Sequence, residues 1–158
     1  MYKFFGKRVL DIAISLWTLI IVSPLLAVIS IILLVHTRKS PFFFQTRVGY
    51  RGKLFRVFKF KTLTDARDSE GLLLPDDLRS FPLGTFLRRY SLDELPQLVN
   101  IIKGDMSIVG PRPWIPDQLD VFPGRCRMAR CSVRPGLTGM AQVYGRNGIP
   151  FYLSLIHI

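Results

Sequence analysis

From Ile12 to Val35 the chain runs for 24 residues without a charged side chain. A straight helix of that length measures about 36 Å at 1.5 Å per residue, enough to cross a hydrocarbon core of roughly 30 Å. The run is too long for a signal peptide, and no small-residue cleavage site ends it. Two details argue against a plain crossing. Ser23-Pro24 sits in the middle of the run, where proline removes a backbone donor and crowds the preceding turn. Lys3, Lys7 and Arg8 precede the run, and Arg38, Lys39, Arg47, Arg51 and Lys53 follow it. Basic flanks favour the cytoplasmic side, so a strict span strands one cluster on the wrong face. The expectation is a re-entrant membrane helix over residues 1–39 that breaks at Ser23-Pro24 and returns, with Ser23 or neighbouring protein meeting the polar groups at the break. Asp11, four residues from Lys7, reads as an interfacial charge with a helical ion pair.

The whole chain carries 22 Lys+Arg against 11 Asp+Glu, a net charge of +11, and 49% of its 158 residues are apolar. That much apolar content excludes disorder, and the length suits one domain with a real core. The basic excess implies a polyanionic partner: nucleic acid, an anionic membrane surface or a phosphorylated substrate. Cys126 and Cys131, with no histidine near, make neither a zinc site nor a disulfide framework, and read as reduced thiols.

Residues 41–60, PFFFQTRVGYRGKLFRVFKF, alternate aromatic and β-branched residues with cations around Gly49 and Gly52. This predicts a hairpin of two short strands with its turn at Val48–Lys53. Interleaved aromatics and cations can hold single-stranded nucleic acid; directly after a membrane segment, a face against anionic headgroups is the simpler reading. Lys59 and Lys61 are candidates for phosphate contact. Thr64–Pro82 carries five acids around GLLLP and predicts a helix start followed by a solvated loop, with no EF-hand spacing. Thr85–Arg89 reads as helical.

Tyr90–Pro113, YSLDELPQLVNIIKGDMSIVGPRP, sets Asp93 and Glu94 among Arg88, Arg89, Lys103 and Arg112. Ser91 and Glu94 have capping-box spacing, which puts both acids in the first turn of a short helix, where its dipole favours negative charge. Pro96 fits only near a helix start, and Gly104 is a C-terminal cap. By pattern alone the two acids are as well explained by helix capping as by chemistry. Ser107–Gly110 predicts a short strand or turn. Arg112, held between two prolines, is preorganised for the bidentate fork that suits phosphate. Ala141–Tyr144 reads as a strand. The chain has neither Walker spacing nor a GxGxxG after a strand.

Together, KRVLD, Ser23-Pro24, QTRVGYRGKLFRVFKFKT, LPD, SLDELPQLVNIIKGDMSIVGPRP and RPGLTGMAQVYGRN resemble the bacterial sugar transferase family, in its compact monotopic form. The likeness runs from about Lys7 to Asn147. It implies an α+β fold: an N-terminal re-entrant membrane helix hairpin, with a small cytosolic α/β catalytic domain over residues 40–149 at the interface of the bacterial inner membrane. The implied reaction moves a sugar-1-phosphate from a UDP-sugar to undecaprenyl phosphate, a polyprenyl phosphate, and releases UMP. The resemblance makes Asp93 the nucleophile that forms a covalent phosphosugar intermediate and Glu94 a ligand of Mg²⁺. It makes Lys59, Arg88, Arg112 and Arg146 phosphate-binding residues. Partners implied are the UDP-sugar, the polyprenyl phosphate and membrane lipid, without nucleic acid. Residues 150–158, PFYLSLIHI, depart from the family's pattern and are expected to be an atypical, shortened tail. Two other readings stay open at this point: a non-catalytic membrane-anchored basic protein, and an inactive fragment of the enzyme. Hydrolysis of a glycoside by Asp93 and Glu94 is excluded, since that chemistry needs its carboxyls roughly 5 Å or more apart across the bond.

Overall fold

A computed structural model describes residues 2–119, 124–139 and 142–143 as a mixture of helix and sheet. The first element, α1 (Tyr2–Thr37), is one long apolar helix with Pro24 inside it. The break expected at Ser23-Pro24 is not a gap: helix is assigned through both residues. Proline withholds one N–H and crowds one turn, and the bonds of the turns on either side suffice to carry the helix past it. Phe5–Thr37 is long and apolar enough to cross a membrane, and little of it is covered by protein. Trp17, Ile21, Val28 and Val35 share one face of the helix and are all more than half exposed, as are Ile20 and Leu34 to one side of it. Each such side chain left in water forgoes about 2 kcal/mol of burial, so the helix calls for lipid around it.

Contacts divide the chain into two compact units, one from Met1–Ile21, Gln45–Val57 and Gln97–Ile158, the other from Val22–Phe44 and Phe58–Pro96. Strands β1 (Phe42–Val48) and β2 (Leu54–Phe60) pair in a two-stranded sheet, joined through a short 3₁₀ turn at Tyr50–Gly52. This is the hairpin that the alternation of aromatics and cations predicts. Gly52 takes φ +76°, a conformation open to glycine at little cost.

The unit of residues 22–44 and 58–96 is organised around Ile29, Leu33, Phe60, Phe81 and Leu87, all buried. Ile29 and Leu33, one helical turn apart, give α1 its one covered stripe here. Phe42 stacks on Phe60 with ring centroids 5.5 Å apart, and Phe44 on Phe58 at 5.0 Å. Thr64–Pro75 is loop rather than the expected helix start, held by single bridges Leu63–Ser80 and Arg67–Leu73. Asp68 accepts the backbone N–H groups of Glu70 and Leu72, the local bonding by which Asp competes with helix. Two short helices follow, α2 (Asp76–Arg79) and α3 (Pro82–Arg89).

In the other unit, α4 (Leu98–Lys103) ends at Gly104 with φ +104°, the left-handed cap that the sequence predicts. Strand β3 (Ser107–Val109) pairs parallel with β4 (Gly136–Thr138), Ser107 opposite Gly136 and Val109 opposite Thr138. A Cβ on Gly136 would lie 2.1 Å from the Gly110 nitrogen, so the two glycines let the backbones meet. The strand expected at Ala141–Tyr144 is instead Gly136–Thr138; Gln142 and Val143 are helical, and Ala141 and Tyr144 lie outside the described residues. Helix α5 (Gly124–Cys131) precedes β4. Its Arg130 lies over the Trp114 ring at 4.6 Å.

Asp11 is not the exposed interfacial charge that its position suggests. It is 7% exposed, pairs with Lys7 at 3.0 Å, and accepts from Ser107 Oγ at 2.8 Å and from the Ile108 N–H at 3.3 Å. The carboxylate thus ties the start of α1 to β3.

Candidate active site

The acidic pair opens a 3₁₀ turn, Leu92–Gln97, rather than an α-helix, with Pro96 inside it. Ser91 takes φ +58°, outside the extended range of an N-cap residue. Its N–H goes to the Arg88 carbonyl, and the Glu94 N–H goes to the Ser91 carbonyl. Both donors of the expected capping box are therefore met by backbone. The Glu94 side chain is released from capping, and it goes elsewhere.

It reaches Lys59. Lys59 Nζ donates to Glu94 Oε1 at 2.7 Å, with both side chains about one fifth exposed. Lys59 comes from the end of β2, where the strand alternation turns Phe58 and Phe60 to the opposite face. Asp93, one residue before Glu94, is buried, 9% exposed. Burial pushes its carboxyl above the usual aspartate range, and the neighbouring charge of Glu94 adds to the rise. Lys59 and Arg88 pull it back only in part. The pair is thus divided by its surroundings into one acid held in an ion pair and one desolvated acid beside it.

Arg88 is brought in by α3. Gly84, one turn earlier on the same face, lets the helix pack on the end of β2: a Cβ there would sit 2.3 Å from the Thr62 carbonyl oxygen. Arg88 Nε then donates to Thr62 Oγ1 at 2.9 Å, and a terminal nitrogen lies 3.7 Å from Asp76. At the start of α2, Asp76 also pairs with Arg79. Thr62 and Asp76 are residues that sequence reading passed over as site residues; the motifs KFKT and LPD that contain them were the available signal. Lys61, the other phosphate candidate of KFKT, pairs with Asp65 at 2.6 Å.

The structure therefore brings together Lys59, Arg88, Asp93 and Glu94 within one unit. Arg112 belongs to the other unit; it is exposed, and its carbonyl accepts from Arg130 at 2.9 Å. Arg146 and the tail 150–158 lie outside the described residues.

Asp93 and Glu94 are the carboxylates of this site that could hold a divalent cation. Among the described residues no three Asp, Glu, His or Cys side chains converge, so no all-protein cage exists there. Mg²⁺ is typically held by one or two carboxylates together with substrate phosphates and water. Glu94 gives Oε1 to Lys59, and its other oxygen has no hydrogen bond among the described residues.

Residues 2–155 match the family described as bacterial sugar transferase. The chain is 42% identical over 143 residues to the sugar transferase EpsL of Bacillus subtilis, covering 90% of this chain and 70% of that one. It is 36% identical over 163 residues to the exopolysaccharide production protein ExoY of Sinorhizobium fredii, covering 92% of this chain and 72% of that protein. Identity is 38% over 146 residues to the UDP-glucose:undecaprenyl-phosphate glucose-1-phosphate transferase of Klebsiella pneumoniae, where the match takes in 90% of this chain and 31% of the larger protein.

Proposed function

This chain belongs to the bacterial sugar transferase family, and on that premise we propose that it moves a sugar-1-phosphate from a UDP-sugar to undecaprenyl phosphate, initiating assembly of a bacterial glycoconjugate. The observation that carries the reading is the division of the acidic pair: Glu94 paired to Lys59, Asp93 buried beside it. A phosphate-directed nucleophile needs an ionisable group in a largely desolvated place, close to fixed positive charge that offsets repulsion by the substrate. Lys59 and Arg88 supply that charge.

In the proposed first step an Asp93 carboxylate oxygen bonds to the phosphorus that bears the sugar. The bond from that phosphorus to UMP breaks, and UMP leaves with the electron pair. A phosphate oxygen of undecaprenyl phosphate then attacks the same phosphorus, and Asp93 departs as a carboxylate. Arg88, set by Thr62 and Asp76, offers a guanidinium to phosphate oxygens. Arg112 and Arg146 are further phosphate-binding candidates by family position. Bound Mg²⁺, held through Glu94, would neutralise charge on the diphosphate.

The same reading takes α1 as a re-entrant membrane element, bent rather than broken at Ser23-Pro24, on the cytoplasmic face of the inner membrane. The basic residues on both flanks of the apolar run support it. A two-step covalent path suits such a site, since the soluble donor and the lipid acceptor can bind in turn. The test is UMP release across a panel of UDP-sugars, with and without undecaprenyl phosphate. One or more sugars should release UMP and yield a lipid-linked product. Release from none of them would remove the proposed donor class.

A further inference from the structure

Residues 111–114 have every backbone carbonyl bonded from outside the stretch. The Gly136 N–H donates to the Pro111 carbonyl at 2.9 Å, and the Val48 N–H to the Trp114 carbonyl at 2.9 Å. Between them, Arg130 donates to the Arg112 carbonyl at 2.9 Å and Arg47 to the Pro113 carbonyl at 3.3 Å. The donors come from β1, α5 and β4, so three elements hold four consecutive residues. Two of the donors are side chains, and both are arginines. Arg130 is 6% exposed and lies over the buried Trp114 ring. Arg47 is half-buried, and its other terminal nitrogen donates to the Gln45 side chain at 2.6 Å. Burial disfavours the charged form of a guanidinium. It lowers the pKa of Arg130; Cys131 offsets part of that, and the like charge of Arg112 adds to the fall.

Arg112 stands at the centre of this arrangement. The rings of Pro111 and Pro113 lock φ on either side of it, and a residue before proline is confined to extended backbone. With the carbonyls of 111–114 also bonded, the Cα–Cβ bond of Arg112 has a fixed direction. Its side chain is exposed and has no hydrogen bond or ion pair among the described residues. A guanidinium held at its base and open at its tip loses less freedom when it takes up phosphate oxygens.

We propose that Arg47 and Arg130 are positioning residues that hold the backbone of 111–113 and so present the Arg112 guanidinium to the diphosphate of a nucleotide-sugar donor. This rests on Arg112 binding phosphate in the transfer reaction, and adds that two cations which touch no substrate set its geometry. The test measures binding of UDP, with Mg²⁺, to the full chain in nanodiscs by calorimetry, UDP being the part common to the proposed donors. Arg112→Met should weaken binding about tenfold, the loss of one charge-assisted contact. Arg130→Met and Arg47→Met should each weaken it about threefold to tenfold through lost preorganisation. Arg130→Lys, which keeps a donor for the carbonyl, should recover part of the loss. Combined with Arg112→Met, neither substitution should weaken binding further. Arg47→Met, at a half-buried position, carries the comparison if loss of Arg130 prevents folding. Arg130→Met and Arg47→Met with wild-type affinity, beside a weakened Arg112→Met, would overturn the proposal and leave Arg112 as a phosphate-binding residue. Losses that add to that of Arg112→Met would also overturn it, since a general loosening of the fold acts alike in both backgrounds. UDP binding that is absent from the wild type, or unchanged in Arg112→Met, would remove the phosphate role of Arg112 and the proposal together.

Discussion

Lys59 Nζ stands 2.7 Å from a carboxylate oxygen of Glu94, while Asp93, the residue before it, is buried. That contact removes Glu94 from the helix-capping role its spacing suggests and places a cation between strand β2 and the acidic turn. It also gives the two acids different electrostatics although they are neighbours in the chain. Unequal environments for paired carboxylates are the usual way that one fold assigns them different roles.

Asp93→Asn should abolish turnover, by a factor on the order of a million if it removes the nucleophile. The same substitution should stabilise the fold at neutral pH. Burial raises the folded-state pKa of Asp93, so the folded chain holds a proton that the unfolded chain releases. Stability is then greatest below the unfolded pKa and declines as pH rises towards the folded one. Thermal melting across pH should show Asn and Asp alike in acid and Asn more stable near neutrality. A destabilised Asn variant at neutral pH would contradict the burial argument.

The acid limb of the pH–rate profile should lie above the ordinary aspartate range, because only the ionised carboxylate attacks. Lys59→Met removes a cation that favours ionisation and should move that limb to higher pH. An unshifted limb would mean that Lys59 does not act on Asp93.

Gly84→Ala tests how Arg88 is positioned. The added methyl would meet the Thr62 carbonyl at 2.3 Å, and relief by backbone movement costs roughly 1–3 kcal/mol. Denaturant titration should show that loss, with weaker donor binding as Arg88 leaves Thr62. Gly6→Ala in α1, where a Cβ meets nothing within 4 Å, is the control. It should leave stability unchanged or slightly raised.

Chelation with EDTA should stop turnover, and Mg²⁺ should restore it. Glu94→Gln should lower turnover about a hundredfold to a thousandfold, the range seen when one charge-stabilising group is lost. A Gln variant with wild-type rate and metal dependence would take Glu94 out of the metal site.

Much of this was legible in the chain. The apolar run, the aromatic hairpin and the Gly104 cap each rest on local rules: length, alternation, and φ at one glycine. The acidic pair was visible as a pair, but its division was not. That division depends on Lys59, 35 residues earlier, and on backbone donors met by other backbone. For Asp11 the pair with Lys7 four residues earlier was legible, but its burial against Ser107, 96 residues away, was not. Pro24 marks a local weakness, and whether a helix bends or ends there is settled by the turns around it. Arg112 and Arg146 keep the family assignment alone.

The central claim is that Asp93 carries the sugar phosphate, and covalent trapping tests it most directly. The chain would be incubated with a UDP-sugar radiolabelled in the phosphate next to the sugar, without undecaprenyl phosphate, and its peptides mapped. The account predicts UMP release matched by label on the peptide containing Asp93, which moves to lipid when undecaprenyl phosphate is added. Lipid-linked product formed with no label at Asp93, or by Asp93→Asn at the wild-type rate, would contradict it.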